Sequence, residues 1–208
     1  MSILTDAPKG LIRKSNEALI LSAAERVFAR AGFAGATMAA IAEASGLPKA
    51  NLHYYFGSKE VLYREVLARI LSDWLVPTHG ITVDADPRTA LEQYIRAKME
   101  LSAQRPDGSK VWANELLHGA PVVKQLLATD LRQLTLEKAA VVNAWADAGR
   151  IAPVDGMHLF FTIWAATQTY ADFDVQICSV MDQDALGEQD FERATAHLVS
   201  FILRGCGL

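Results

Sequence analysis

Residues 37–56 read TMAAIAEASGLPKANLHYYF, and the reading of this stretch decides the fold. Thr37 stands where a helix needs a side-chain acceptor for its first free amides, and Met38, Ile41 and Ala42 follow at inward helical spacing. Gly46 suits the left-handed residue that closes such a helix. Pro48 has a fixed φ and no N–H to lose, which suits the first turn of a second helix reaching about Tyr55. Two short helices joined by a glycine-containing turn form a helix-turn-helix. The first must pack closely, hence its alanines. The second must bury Leu52 and Phe56 and turn its other side to the major groove.

That outer side carries Lys49, Asn51, His53, Tyr54 and Tyr55. Lysine can meet phosphate or guanine, asparagine can pair with adenine, and tyrosine hydroxyls bond phosphate. Thr37 at a helix start and the Lys59 ammonium can each take a further phosphate. An aromatic core stripe is the competing reading of residues 54–56, but three consecutive rings cannot all face one side of a helix.

Working outward, residues 15–31 place Leu19, Ile20, Ala23, Ala24, Val27 and Phe28 on one stripe, and Gly32 ends that helix. After Gly57 and Ser58 a long helix spans 59–75 and stops at Pro77. Helical spacing continues over 89–103, 109–117, a short 121–127, then 130–148, 155–181 and 188–203. Strand alternation, phosphate loops and repeats are not found, so the fold class is all-α. The division falls at about residue 60: a reading domain over 1–59 with a short N-terminal arm, and a helical body over 60–208.

Composition fits this plan. Hydrophobic residues make up 51% of the 208 and charged residues 21%, which implies a packed chain. Apolar runs stay too short to span a membrane, and the first ten residues lack a secretory pattern, so a cytoplasmic protein is expected. Cys178 and Cys206 have no metal or redox spacing and read as free thiols. The net charge of −4 is unevenly spread: residues 1–60 carry seven bases against five acids, the remainder 13 against 19. A mildly basic reader on an acidic body fits DNA binding by the N-terminal part alone. The five histidines are scattered, with no nucleophile, metal or phosphate motif beside them, so neither catalysis nor a cofactor is expected.

In the body, the informative residues are polar groups on apolar stripes. Lys98 lies on the stripe of Leu91, Tyr94, Ile95 and Met99; Glu115 falls among Val111, Trp112 and Leu116. Phe160, Trp164, Gln168 and Asp172 recur every four residues, and Trp74 ends the fourth helix. Burying such groups unpaired costs roughly 1–3 kcal/mol each, more for a charge. Either they pair, as a Lys98–Glu115 ion pair with Gln168 and Asp172 at an interface or solvent edge, or they line a cavity for a polar ligand. Spacing alone leaves both open.

The stretch AGFAGATMAAIAEASGLPKANLHYYFGSKEVLY, residues 31–63, resembles the DNA-binding domain of the TetR family. It departs at Pro48, where relatives usually carry a serine or threonine cap. RILSDWL (69–75), QYIRAKME (93–100), ELLHGAP (115–121) and GRIAPVDGMHLFFTIWAATQTYADFDVQ (149–176) resemble the pyrimidine-utilisation repressors within that family. The resemblance implies a homodimer that holds double-stranded operator DNA and releases it when uracil or thymine binds. It implies a pocket built from Trp74, Lys98, Glu115, Trp164, Gln168, Tyr170 and Asp172. The arm is shorter and less basic than in that group and the surroundings of Asn114 differ, which leaves room for a reduced or ring-opened pyrimidine. A larger, greasier effector is the other alternative, opposed by Lys98, Glu115 and Gln168. Helices 155–181 and 188–203 are the expected dimer surface: the first is too apolar for a solvated face, and its complete burial within one subunit is the competing reading.

Overall fold

The structure, a computed structural model, describes residues 9–208, with side chains from residue 11; the expected N-terminal arm lies outside the described residues. Among these no strand occurs, and no helix is long and apolar enough to cross a membrane. Two compact units form, Met1–Arg69 and Ile70–Leu208, and their division falls inside a helix, ten residues beyond the sequence estimate.

The first unit contains α1 (Lys9–Gly35), α2 (Met38–Ser45), α3 (Lys49–Phe56) and the start of α4 (Lys59–Leu75). Helix α1 begins before residue 15 and breaks at Gly32, beyond which a short turn continues to Gly35. Ile20, Ala23, Ala24 and Phe28 are buried as their spacing requires, whereas Leu19, expected inside, is half exposed at the edge of the stripe. Thr37 accepts the Ala40 amide and caps α2. Gly46 closes the same helix at φ 70°, a backbone that a side chain would strain. Ile41, Leu52, Leu62, Val66 and Leu67 complete the core.

In the second unit, α5 (Pro87–Gln104) packs against α9 (Gly156–Asp172) and α11 (Glu188–Gly205), and α9 also packs on α6 (Pro106–Leu117) and α8 (Arg132–Asp147). Leu91, Ile95, Met99, Val142, Trp145, Phe160, Ile163, Leu198 and Ile202 fill the space between them. The α8–α9 crossing is close because residue 156 is glycine: a Cβ there would lie 2.5 Å from the Ala139 carbonyl oxygen.

Two expectations are corrected. The short helix over 121–127 does not stop: α7 (Lys124–Leu126) passes through one π-helical turn, Leu127–Leu131, directly into α8. The long helix expected over 155–181 is broken at Phe173 (φ −122°, ψ 33°), giving α9 and α10 (Asp174–Met181).

Candidate functional site

The helix α3 presents two different sides. Leu52 is fully buried, Phe56 half-buried, and Tyr54 is 76% exposed, with Lys49 and His53 also on the surface. Asn51 and Tyr55 are half-buried, and the Tyr55 hydroxyl accepts the Asn16 amide at 3.2 Å. His53 Nδ1 lies 2.9 Å from the Gly57 carbonyl oxygen, which ties the ring to the end of its own helix. Lys59 was expected to reach phosphate. Its ammonium donates to the carbonyls of Phe33 (2.8 Å) and Ala36 (3.0 Å) and lies 4.5 Å from the centre of the Phe33 ring. The first carbonyl lies in the last turn of α1 and the second one residue beyond it, so Lys59 acts first as a clamp. The Thr37 oxygen is occupied as a cap, which leaves its proton and the first amides of α2 facing outward.

A cavity of about 110 Å³ lies within the second unit. A cavity of roughly 150 Å³ accommodates benzene, so the space is about one ring in size. Trp74, Tyr94, Trp112, Phe160 and Trp164 supply aromatic walls, and Leu127, Leu131 and Leu134 from the π turn and α8 close another side. The rings brace one another: Trp74 meets Trp112 edge to face at 5.5 Å, and Tyr94 meets Phe160 the same way at 5.7 Å.

The polar lining is sparse. Trp164 Nε1 donates to the Tyr94 hydroxyl at 2.7 Å, so the Tyr94 oxygen is occupied while its proton has no acceptor among the described residues. Burial raises the Tyr94 pKa, so that proton is held firmly, although the Trp164 N–H pulls slightly the other way. Gln168 lines the cavity and its amide makes no hydrogen bond among the described residues. Lys98 is 2% exposed, with its ammonium 4.1 Å from the Trp74 ring centre. Desolvation pulls the Lys98 pKa down to about 7, opposed only by Asp172. Thr78 and Thr135 donate to the helix carbonyls of Leu75 and Leu131, both at 2.6 Å, which leaves their oxygens as acceptors. Lys138 donates to the Ile81 carbonyl at 3.2 Å and pairs with Glu137 at 3.0 Å.

Four of the seven expected ligand residues therefore meet at one cavity: Trp74, Lys98, Trp164 and Gln168. Glu115, Tyr170 and Asp172 do not line it. Glu115, only 4% exposed, accepts the amides of Val122 (2.6 Å) and Val123 (3.2 Å) and holds the turn after α6, and the carboxylate that acts on Lys98 is Asp172 instead. Tyr170 is about 200° round the helix from Gln168, and it packs on Phe191 instead. Steps of four residues drift by about 40° each, so Asp172 has left the face that Phe160 and Trp164 share. Its Oδ1 is buried without a hydrogen bond, beside a Ser109 hydroxyl in the same condition. Burial raises the Asp172 pKa; the nearby Ser109 hydroxyl, Lys98 and Lys110 pull it back. Sequence reading passed over Tyr94, Thr78, Thr135 and Lys138; Tyr94 and Lys98, one helical turn apart, were the available signal. Among the described residues no group of His, Cys, Asp and Glu stands together as metal ligands.

Comparison with known proteins agrees with this layout. Residues 20–66 match the family described as bacterial regulatory proteins, tetR family, and residues 67–208 match the C-terminal region of YcdC-like protein. The HTH-type transcriptional regulator RutR of Escherichia coli (strain K12) is 41% identical over 186 residues, covering 89% of this chain and 88% of that protein. The ketosteroid transcriptional regulator KstR2 of Mycobacterium tuberculosis has the same fold, with a TM-score of 0.71 at 19% identity over 91% of this chain and 93% of that one. A bacterial regulatory protein in the tetR family from Rhodococcus RHA1 superposes at a TM-score of 0.72 and 20% identity, over 92% and 96% of the two chains.

Proposed function

The chain belongs to the TetR family of bacterial regulatory proteins, and on that premise we propose that it represses genes of pyrimidine metabolism and leaves its operator when a pyrimidine such as uracil fills the cavity. Regulators of this family bind operator DNA, dimerise and bind small-molecule effectors; they are not enzymes. The effector class rests on one observation: a space about one ring in size, walled by aromatic rings, with the Gln168 amide and the Tyr94 proton unmatched. A pyrimidine has flat faces for the rings and an edge that alternates carbonyl and N–H, which a glutamine amide can read in both senses. A larger apolar effector would need several hundred Å³.

On DNA, Lys49, Asn51 and Tyr54 make the outward contacts of α3, and Thr37 with the first amides of α2 holds a phosphate. His53 and Tyr55 fix α3, and Lys59 clamps the end of α1 behind it. Dimerisation uses the exposed apolar side chains of α9 to α11, among them Phe161, Phe173, Val175, Val180 and Phe201. Two copies of α3 on a two-fold axis require a nearly palindromic operator. Switching uses α4, a single helix whose first residue, Lys59, follows the reading helix and whose last turn carries Trp74 and Leu75 into the cavity wall. An effector that favours one setting of Trp74 thereby biases the reader.

The test is a mobility-shift titration at fixed salt on DNA upstream of the protein's own gene, with and without uracil and thymine. Release by a pyrimidine is expected. If a pyrimidine that binds by calorimetry leaves operator affinity unchanged, the switching reading fails; if none binds, the effector reading fails.

A further inference from the structure

The charge of the cavity goes further than its size. Two lysines line it, Lys98 and Lys138, and no carboxylate does. Among the described residues the Lys98 ammonium makes no hydrogen bond and no ion pair; it lies over the face of Trp74, and the residue lines the cavity. A buried ammonium left in this state is unfavourable unless something supplies the missing acceptor. Lys138 has two partners, the Ile81 carbonyl and Glu137, and an ammonium carries three N–H groups. Tyr94 adds one more donor. Against these the acceptors are the Gln168 carbonyl and the two threonine oxygens, which suit the N–H groups of a ring or a urea.

Resting on the pyrimidine reading above, we propose that the preferred effector is an anion: a pyrimidine-sized ring or open-chain ureide bearing a carboxylate, which lies against Lys98 and Lys138 while Gln168, Thr78 and Thr135 take its N–H groups. A neutral pyrimidine satisfies the amide and the rings but gives the Lys98 ammonium no acceptor in contact with it and leaves Asp172 as the one carboxylate acting on it.

Binding of an anion also moves a proton. The titratable groups on the surrounding elements include Asp73, His79, Tyr94, Lys110, Glu115, Glu137, Lys138, Asp172 and Asp174, and of these only Asp172 acts on Lys98, weakly enough that the amine still titrates at about 7. A carboxylate against the amine raises that value. Above pH 7 the carboxylate is therefore bound together with a proton, and below pH 6 it is not.

Isothermal titration calorimetry on the full chain tests this with five probes: uracil, uracil-6-carboxylate, uracil-6-carboxamide, 3-ureidopropionate and 3-ureidopropionamide. At pH 7 the carboxylate of at least one matched pair should bind tenfold or more tighter than its carboxamide and tighter than uracil. In Lys98→Met that ratio should fall to within twofold, with thermal unfolding confirming that the variant is folded. In wild-type protein at pH 8, heats in buffers of different ionisation enthalpy should report net proton uptake with the carboxylate, a readout that needs no variant. Equal or tighter binding of uracil or the carboxamides overturns the anion while leaving the pyrimidine reading intact, as does the absence of proton uptake. Failure of all five probes to bind overturns both.

Discussion

Two lysines, one in each compact unit, lie over aromatic rings at nearly the same distance. Lys59 is 4.5 Å from the centre of Phe33 and Lys98 is 4.1 Å from that of Trp74. The resemblance ends there. Lys59 donates to two backbone carbonyls at and just past the end of α1, whereas Lys98 has no hydrogen-bond acceptor among the described residues. In the reading unit, polar side chains complete the fold: Thr37 caps α2, Tyr55 meets Asn16, and Lys59 clamps α1. In the body, several are left incomplete around a space. The difference separates residues that hold the structure from residues reserved for something that enters it.

The sharpest way to break this contrast is to give both lysines the same apolar side chain. Lys59→Met removes two charge-assisted hydrogen bonds and should cost roughly 2–4 kcal/mol. Lys98→Met removes an unpaired buried charge and should be neutral or stabilising by about 1–3 kcal/mol at pH 6. Urea unfolding of the two variants measures both; a destabilised Lys98→Met protein would mean that the amine has a partner holding the fold.

The same contrast has a pH signature. Lys98 titrates at about 7 in the folded chain and at the ordinary lysine value when unfolded. Between those values the unfolded chain binds more protons, so stability rises with pH; below 7 the slope disappears. Wild-type stability should gain up to ~1.4 kcal/mol per pH unit relative to Lys98→Met above pH 7. Unfolding of the pair from pH 6 to 9 checks this, and parallel curves would refute it.

How far the sequence carried differs between the units for the same reason. The reading unit is built from local signals: the Thr37 cap, Gly46, Pro48 and the Gly57 break all act within a few residues of themselves and were legible. The body's helices were legible from spacing, but its irregularities were not. Neither glycine nor proline marks the break at Phe173, and the π turn at Leu127–Leu131 has no breaker either. Both are set by packing. Trp74, Lys98, Trp164 and Gln168 could be named because polar and aromatic residues on an apolar stripe stand out. Glu115 stands out equally, yet it serves Val122 and Val123, a partnership that depends on how the turn after α6 folds back. Tyr170 followed from resemblance, and its place on the far side of α9 from Gln168 follows from helix geometry.

Gln168 sharpens the contrast without a charge. Its amide has no protein partner, so Gln168→Leu should leave stability within ~0.5 kcal/mol of wild type. Effector affinity should nevertheless fall by about 1–2 kcal/mol, because the ligand's matching groups lose their partners. Calorimetry and thermal unfolding on the same sample read both. A large loss of stability would place Gln168 with Lys59 among the structural groups.

The smallest effect belongs to the outer side of α3, where two residues should act on DNA through different physics. Tyr54 is exposed and its hydroxyl is neutral; Lys49 is exposed and charged. Tyr54→Phe removes one hydrogen bond to phosphate and should weaken operator binding by roughly 0.5–1.5 kcal/mol, with no counterion released or retained. The dependence of log K on log salt should therefore keep its slope. Lys49→Ala should flatten that slope by about 0.9 if the ammonium neutralises one phosphate. Operator titrations at several salt concentrations distinguish the two. A slope altered by Tyr54→Phe, or unaltered by Lys49→Ala, would mean that the charge on the outer side of α3 is not what meets the backbone. The reading helix would then hold DNA through Thr37 and the amides of α2, with α3 touching only bases.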